Sequence, residues 1–279
     1  MIITRARDMS QTLSTMFNIK ALFMDVDGTA VLSEERNREA IEHVAEQGGH
    51  TIRPEDWDYL AGAGDEVIWE KICQKNPDFI LSYPTADDFE QACVAAYTAR
   101  KAELKVNEAV RDIVQHFIDN NVSVAAISNS LSDVVKDNLE ITGYDTDLLD
   151  FILTKTEIRD LGLQTKPAPD PYLHGLKILN EQRQERGLDT VAVSECLILE
   201  DSLTGVRAAL KAGMRVIHIR DDSGPLPEAE QERLEKAHDG QYYSCDLNTL
   251  PLVCLSLLHG FNYRKNNPEP IHVPQMQPN

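Results

Sequence analysis

Five short and mostly apolar runs recur along the chain and predict buried β-strands. They are ALFMDV (21–26), VSVAAI (122–127), LDFIL (149–153), CLILE (196–200) and MRVIHI (214–219). Segments with helical periodicity separate them, and in the segment 107–120 the apolar side chains share one face of a helix. Strands that alternate with helices in this way predict parallel βα units. We therefore expect an α/β fold in which helices cover both faces of a parallel sheet.

The interval between the first two predicted strands breaks this alternation. It has no strand pattern, and helical periodicity recurs at 34–47, 65–74 and 86–104. An insertion of this length with its own periodicity predicts a small helical domain rather than a loop. Because it begins just after the first strand, we expect it to lie over whatever site that strand carries.

These patterns divide the chain into three parts. We expect a core domain made of residues 19–32 and 121–260, with a helical cap domain at 33–120. Residues 264–279 are rich in Pro and Asn and have few apolar side chains to bury, so we expect a disordered tail.

Charge and cysteine content narrow the possible partners and location. The chain has 27 basic and 46 acidic residues, a formal net charge of −19, which argues against nucleic acid or a membrane surface as partner. Its five cysteines are widely spaced without a C-x-x-C pair, which is typical of a reducing compartment. The first residues, MIITRARDMSQTLSTMF, lack the apolar segment of a secretory signal. We therefore expect a cytoplasmic protein.

Two carboxylates at the end of the first strand are the first candidate for chemistry. Asp25 and Asp27 are two residues apart, so in a strand their side chains point to the same side. At the carboxyl end of a parallel strand, that side faces the crevice in which α/β proteins bind ligands. The alternative is that both are turn residues beside Gly28. Asp25 lies inside the apolar run, which favours the functional interpretation.

Polar groups also follow or closely precede other predicted elements. Ser128 and Asn129 come directly after the second strand, where hydroxyl and N–H groups could bind a phosphate oxygen. Ser130 and Asp133 have the spacing of a capping box, which predicts that they start the next helix. Lys166 precedes Pro167 in TKPAPD, so a stiff backbone presents it, although an isolated lysine is usually a solvated surface charge.

Glu200 and Asp201 end the strand CLILE ahead of a helix, where they could cap that helix or hold a divalent cation. Because the carboxyl ends of parallel strands meet at one edge of a sheet, we expect all these groups to lie together. Clustered carboxylates repel one another, and bound Mg²⁺ would relieve that repulsion. A carboxylate nucleophile beside a hard cation and a lysine is typical of phosphoryl transfer through an aspartyl-phosphate.

The same residues resemble the four motifs of the haloacid dehalogenase superfamily. The first is D-x-D-G-T, here Asp25 to Thr29; the second is a Ser or Thr that closes an apolar strand, here Ser128. The third is K-P-x-P-D, which begins at Lys166, and the fourth is E-D-S with a following helix, here LEDSLTGVRAALKAGM (199–214). The motifs are in order over roughly residues 20–220. The resemblance is to the subgroup with a helical cap after the first strand, which includes β-phosphoglucomutase and many sugar-phosphate phosphatases.

This resemblance implies a Rossmann-like core with an inserted α-helical cap, and a role for each matching residue. Asp25 would be the nucleophile. Asp27 would be the general acid and base, and its carbonyl would bind Mg²⁺. Ser128, Asn129 and Lys166 would bind the transferring phosphoryl group. Asp201 would be a metal ligand, with Glu200 a direct ligand or a support behind it. The metal set is therefore Asp25, Asp27, Glu200 and Asp201.

The resemblance also implies a small phosphorylated metabolite as substrate, with the cap selecting it. The candidate cap stretch is LAGAGDEVIWEKI (60–72), whose first half has no Lys or Arg to bind a second phosphate. This predicts a phosphatase rather than the alternative, a phosphosugar mutase that uses the same residues. A non-catalytic binding module on the same fold is a further alternative. We expect Trp57 and Trp69 to be core residues, and the sequence does not indicate an oligomeric state.

Overall fold

A computed structural model describes residues 18–60, 64–100, 103–220, 228–238 and 240–258. Its strands are β1 Ala21–Met24, β2 Val31–Leu32, β3 Lys105–Val106, β4 Ser123–Ile127, β5 Phe151–Leu153, β6 Cys196–Glu200, β7 Arg215–Ile219 and β8 Tyr242–Cys245. Its α-helices are α1 Glu34–Gln47, α2 Trp57–Leu60, α3 Asp65–Lys75, α4 Ala86–Thr98, α5 Glu108–Asp119, α6 Ser132–Ile141, α7 Lys155–Asp160, α8 Asp170–Glu185, α9 Leu203–Lys211, α10 Glu228–Ala237 and α11 Leu250–Leu258.

Six of the strands form one parallel sheet, in the order β5-β4-β1-β6-β7-β8. The predicted α/β class and all five predicted strands are confirmed. β1 lies in the middle, and the chain builds the sheet outward on one side of β1 before it crosses to the other side. In open α/β sheets such a reversal leaves a crevice at the carboxyl ends of the strands. The crevice is therefore at the end of β1.

Two apolar layers bury the sheet. Leu22 and Met24 of β1 pack in one layer together with α5, while Phe23 packs in the opposite layer together with Tyr172 of α8 and Val206 of α9. Alternate residues of a strand point to opposite faces, so a strand covered on both sides needs apolar residues at every position. All four residues of β1 are buried, which explains why the strand has no polar position.

Helices α1 to α4, here called the inserted helices, bury their own apolar cluster, which includes Val44, Ile68, Phe79 and Phe89. Helix α4 ends at Thr98, earlier than the pattern at 86–104 predicts. The predicted cap range of 33–120 also includes α5, whose apolar side chains pack on the sheet. The division into domains stays a prediction.

The strands β2 and β3 flank the inserted helices and form a separate two-stranded antiparallel sheet, with Val31 opposite Val106 and Leu32 opposite Lys105. The chain thus leaves and re-enters the core along two adjacent strands. The acidic segment after β7 contains α10. The predicted tail at 264–279 lies outside the described residues. Among the helices in the described ranges, none is long and apolar enough to span a membrane.

Candidate active site

The carboxyl ends of β1 and β6 bring three predicted carboxylates together. Asp25 directly follows β1, and its backbone N–H donates to the carbonyl of Leu199 in β6 at 2.9 Å. One carboxylate oxygen from each of Asp25, Glu200 and Asp201 lies within 4.8 Å of the other two. Gly28 permits this approach, because its φ is +77° and a Cβ at that position would overlap the Asp201 carboxylate. Steric crowding by Asp201 thus explains why the first motif has a glycine at position 28.

Lys166 lies among these carboxylates and is buried. Its Nζ donates to Asp25 Oδ1 at 2.6 Å, to Glu200 Oε1 at 2.5 Å and to the carbonyl of Ile127 at 2.8 Å. Burial alone would lower the pKa of this lysine, but the charges of Asp25 and Glu200 raise it above its usual value. Lys166 is therefore a fixed positive charge beside the candidate nucleophile.

The side chain of Asn129 holds the backbone of Lys166. Its Oδ1 accepts from the Lys166 N–H at 3.1 Å, and its Nδ2 donates to the Lys166 carbonyl at 3.0 Å. Both the oxygen and the nitrogen of this amide therefore contact the Lys166 backbone, so the Asn129 side chain fixes the chain segment that carries Lys166.

One lysine does not neutralise three clustered acids. Burial raises the pKa of Asp25 well above its usual value, and the charge of Glu200 adds to this while Lys166 opposes it. Burial raises the pKa of Asp201 in the same way, with the charges of Asp25 and Glu34 adding to it. A hard divalent cation prefers such oxygen ligands and would compensate the excess charge. The residues present therefore fit Mg²⁺.

Glu200 has no carboxylate oxygen without a protein partner. Oε1 accepts from Lys166 and from the hydroxyl of Tyr172 at 2.7 Å, and Oε2 accepts from the hydroxyl of Ser202 at 3.0 Å. The Asp201 carboxylate, by contrast, accepts from Thr29 Oγ1 at 2.8 Å, a bond to one of its two oxygens. Of the two roles left open for Glu200, this geometry favours a support that orients Lys166.

The Asp27 carboxylate is held by hydroxyl and amide donors. Oδ1 accepts from Ser33 Oγ and from Asn138 Nδ2, each at 3.0 Å. Oδ2 accepts from Ser130 Oγ at 2.7 Å and from Ser128 Oγ at 3.4 Å. The two acids of the first motif thus differ, since Asp25 is paired with a cation and Asp27 with neutral donors.

The capping box predicted for Ser130 and Asp133 is wrong. Helix α6 begins at Ser132, one residue later than a Ser130 cap would place it, and its N-cap Leu131 makes no side-chain capping hydrogen bond. The Ser130 hydroxyl instead donates to the Asp27 carboxylate. A cap would instead require the Ser130 oxygen to accept from a backbone N–H of α6.

Three further residues of the site lie outside the four sequence motifs. Asn138 is a buried polar residue on the apolar face of α6, next to Leu139, and this interruption was the available signal. Tyr172 lies under Lys166, with the ammonium 5.1 Å from the ring centre. Tyr97 of α4 is buried beside Asp27, whose charge adds to burial in raising the pKa of the phenol.

The stretch expected to contact the substrate is described in part, because residues 61–63 lie outside the described ranges. Trp69 donates from Nε1 to the carbonyl of Tyr83 at 2.9 Å, and Trp57 donates to Glu42 at 2.8 Å. Both rings pack on the apolar cluster of the inserted helices, as expected for core residues. Asp65, the first residue of α3, is half-buried near Glu90, and burial raises its pKa to about 6.

This shift predicts that Asp65 costs stability at neutral pH. The folded chain keeps the Asp65 proton up to about pH 6, whereas the unfolded chain releases it near 3.8, so folding stability falls as pH rises through this window. Asp65→Asn should therefore raise the thermal midpoint by a few degrees at pH 7.5 and by little at pH 4. The exposed neighbour Glu66, changed to Gln, is the control. Equal midpoints for Asp65→Asn and wild type at both pH values would contradict the prediction.

Comparison with known proteins agrees with the resemblance that the motifs of the site indicate. Residues 19–213 match the model of the haloacid dehalogenase-like hydrolases. The chain is 26% identical over 203 residues to Protein SUPPRESSOR OF QUENCHING 1, chloroplastic, of Arabidopsis thaliana; the match covers 72% of this chain and 18% of that protein. The chain thus spans less than a fifth of the length of this relative.

A shorter relative and a solved structure match over most of their length. A Saccharomyces cerevisiae protein named a probable pseudouridine-5'-phosphatase is 24% identical over 214 residues, covering 76% of this chain and 84% of that protein. The crystal structure of CbbY from Rhodobacter sphaeroides in complex with phosphate superposes with a TM-score of 0.60 at 23% identity, covering 75% of this chain and 90% of CbbY. The family model covers well over half of the chain, and the chain therefore belongs to the haloacid dehalogenase-like hydrolase family.

Proposed function

We propose that the protein is a Mg²⁺-dependent phosphatase that hydrolyses a small phosphorylated metabolite through an aspartyl-phosphate on Asp25. One observation carries this proposal: a carboxylate at the end of the central strand is hydrogen-bonded to a buried lysine and lies within 4.8 Å of two more acids. A turn or helix cap requires neither a buried lysine nor two further carboxylates. A non-catalytic module would have no need for the complete set.

Each residue has a defined part in the reaction. An oxygen of Asp25 forms a bond to phosphorus as the bond to the leaving oxygen breaks, and Asp27 gives that oxygen a proton. Asp27 then takes a proton from water, whose oxygen attacks the phosphorus and releases phosphate from Asp25. Lys166 and Ser128 stabilise the charge on the phosphoryl oxygens.

The metal site would consist of Asp25, Asp201 and the Asp27 carbonyl, with Glu200 behind Lys166. The cation would supply positive charge against the phosphoryl oxygens and reduce the repulsion between Asp25 and the incoming anion. Thr29 contributes by holding the Asp201 carboxylate in place.

The substrate proposal rests on the inserted helices and on the relatives. Tyr97 lies beside Asp27, so helix α4 reaches the side of the site where the leaving group would be protonated. We propose that the inserted helices act as a cap that selects a small phosphorylated metabolite such as a sugar phosphate. The yeast relative is named for a phosphorylated nucleoside, which agrees with this class. We also propose a cytoplasmic location.

Chelation tests the metal requirement. We expect the purified protein to hydrolyse p-nitrophenyl phosphate with Mg²⁺, to lose this activity in EDTA, and to recover it poorly with Ca²⁺, whose coordination is looser. Mg²⁺ should also raise the thermal midpoint. This rise should vanish in Asp201→Asn and persist in the control Asp160→Asn. Full activity after exhaustive chelation would refute the proposal.

The product distinguishes a phosphatase from a mutase. With sugar phosphates, we expect inorganic phosphate to appear in proportion to the substrate lost. An isomerised sugar phosphate without phosphate release, and stimulation by a sugar bisphosphate, would instead identify a mutase.

A further inference from the structure

A second set of charges lies between the inserted helices and the sheet. Glu90 of α4 accepts from Lys155 Nζ of α7 at 2.5 Å and from Arg159 Nη1 of α7 at 3.3 Å. The side chains of Glu90 and Lys155 are only 6% and 12% exposed, so solvent screens this pair weakly. Arg159 is also 3.8 Å from the exposed Asp87. Glu90 and Lys155 therefore form a buried bridge between α4 and α7, and Arg159, whose side chain is 42% exposed, lies at its outer edge.

This bridge adjoins the candidate active site. The backbone N–H of Lys155 donates to the carbonyl of Ser130 at 3.0 Å, and the Ser130 hydroxyl donates to Asp27. On α4, Glu90 and Tyr97 are seven residues apart, which places them on one face about two turns apart. Tyr97 lies beside Asp27. The bridge therefore lies on the side of the site where Asp27 would protonate the leaving group.

The charges of the set do not favour an anionic leaving group. Lys155 and Arg159 are the cations on α7, and Glu90 already pairs with both. Asp65, whose pKa these same three residues influence, adds a further carboxylate. A second phosphate or carboxylate on the substrate would meet two acids and would have to compete with Glu90 for Lys155 and Arg159. A neutral, hydroxyl-bearing group would meet donors and acceptors of both kinds.

We propose that Glu90 determines specificity by occupying Lys155 and Arg159, so that the protein accepts monophosphates with a neutral leaving group and rejects substrates with a second anionic group. This inference rests on the proposed phosphatase function. It also explains how a chain with two cations beside its site would avoid bisphosphates.

Replacing Glu90 tests this inference, because it removes the negative charge that pairs with both cations. We expect Glu90→Gln to raise the ratio of kcat/KM for fructose 1,6-bisphosphate to that for fructose 6-phosphate at least tenfold, mainly through KM. The rate on p-nitrophenyl phosphate should change little. Adding Lys155→Met should reverse most of the gain. Glu39→Gln is the matched control, since Glu39 also accepts from two cations, Arg36 and Arg100, within the insertion.

A binding measurement separates this inference from the proposed reaction. In the Asp25→Asn background, calorimetry should show that Glu90→Gln increases the affinity for fructose 1,6-bisphosphate relative to fructose 6-phosphate, whether or not the wild type hydrolyses esters. An unchanged ratio in both assays overturns the inference. Absence of hydrolysis by the wild type, with the affinity shift present, overturns only the proposed reaction. Glu90→Met, which is similar in volume, replaces Glu90→Gln if that variant does not fold.

Discussion

Asp25→Asn is expected to lower phosphatase activity by roughly a thousandfold or more while the protein stays as stable as the wild type or becomes more stable. The amide keeps the size of the side chain and can still accept from Lys166, so the fold should persist. It removes the attacking charge, and with it the bond to phosphorus. It also removes a charge that raises the pKa of Asp201 and that is itself disfavoured by burial, so the free energy of unfolding should not fall.

The measurement is kcat on p-nitrophenyl phosphate with Mg²⁺, together with circular dichroism and the thermal midpoint. Asp160→Asn, at the end of α7, should keep full activity. A folded Asp25→Asn variant with substantial activity would exclude the aspartyl-phosphate mechanism.

Lys166→Met is expected to damage both activity and stability. Without the ammonium, Asp25 and Glu200 lose a shared donor in a buried environment, and removing one partner of a buried ion pair typically costs about 3–5 kcal/mol. Activity should fall at least about a hundredfold, because the phosphoryl oxygens lose a fixed positive charge. Chemical denaturation without metal and kcat with Mg²⁺ measure the two effects.

Lys75→Met is the matched control for this loss. Lys75 donates to the Asp56 carboxylate at 2.6 Å, but its side chain is 44% exposed, so its removal should cost less. Activity should also persist in the control, because this pair belongs to the inserted helices. If Lys166→Met unfolded at the same denaturant concentration as the wild type, the carboxylate cluster would not depend on Lys166 for compensation.

The sequence predicts the strands and the main site residues because both follow from local patterns. A strand buried on both faces is a continuous apolar run, and Asp25, Ser128 and Glu200 stand out in the sequence because they end or follow such runs. Strand β8 was not predicted, since Tyr242–Cys245 mixes aromatic and polar residues. Hydrogen bonding to β7 makes this segment a strand, although its own sequence does not indicate one.

The contacts that position these residues could not be read from local patterns. Asn138 reaches Asp27 across 111 residues of chain, and Glu90 reaches Lys155 across 65. Ser130 shows the limit most clearly. Its spacing to Asp133 fits a helix cap, but the fold brings the Asp27 carboxylate within 2.7 Å of its hydroxyl, which donates to that charged acceptor.

The paired strands β2 and β3 give the insertion the topology of a loop whose two ends meet. Closing a loop costs an entropy that grows only slowly with its length, so the sheet tolerates insertions of very different size and shape at this point. If the predicted division into core and cap is right, we expect that the inserted helices could be exchanged as a unit for those of another protein, while β1, Asp25 and Lys166 stay in place. What a transplanted unit must supply is a match for the two cations of α7. A graft without a carboxylate at the position of Glu90 would leave Lys155 and Arg159 exposed to the new substrate.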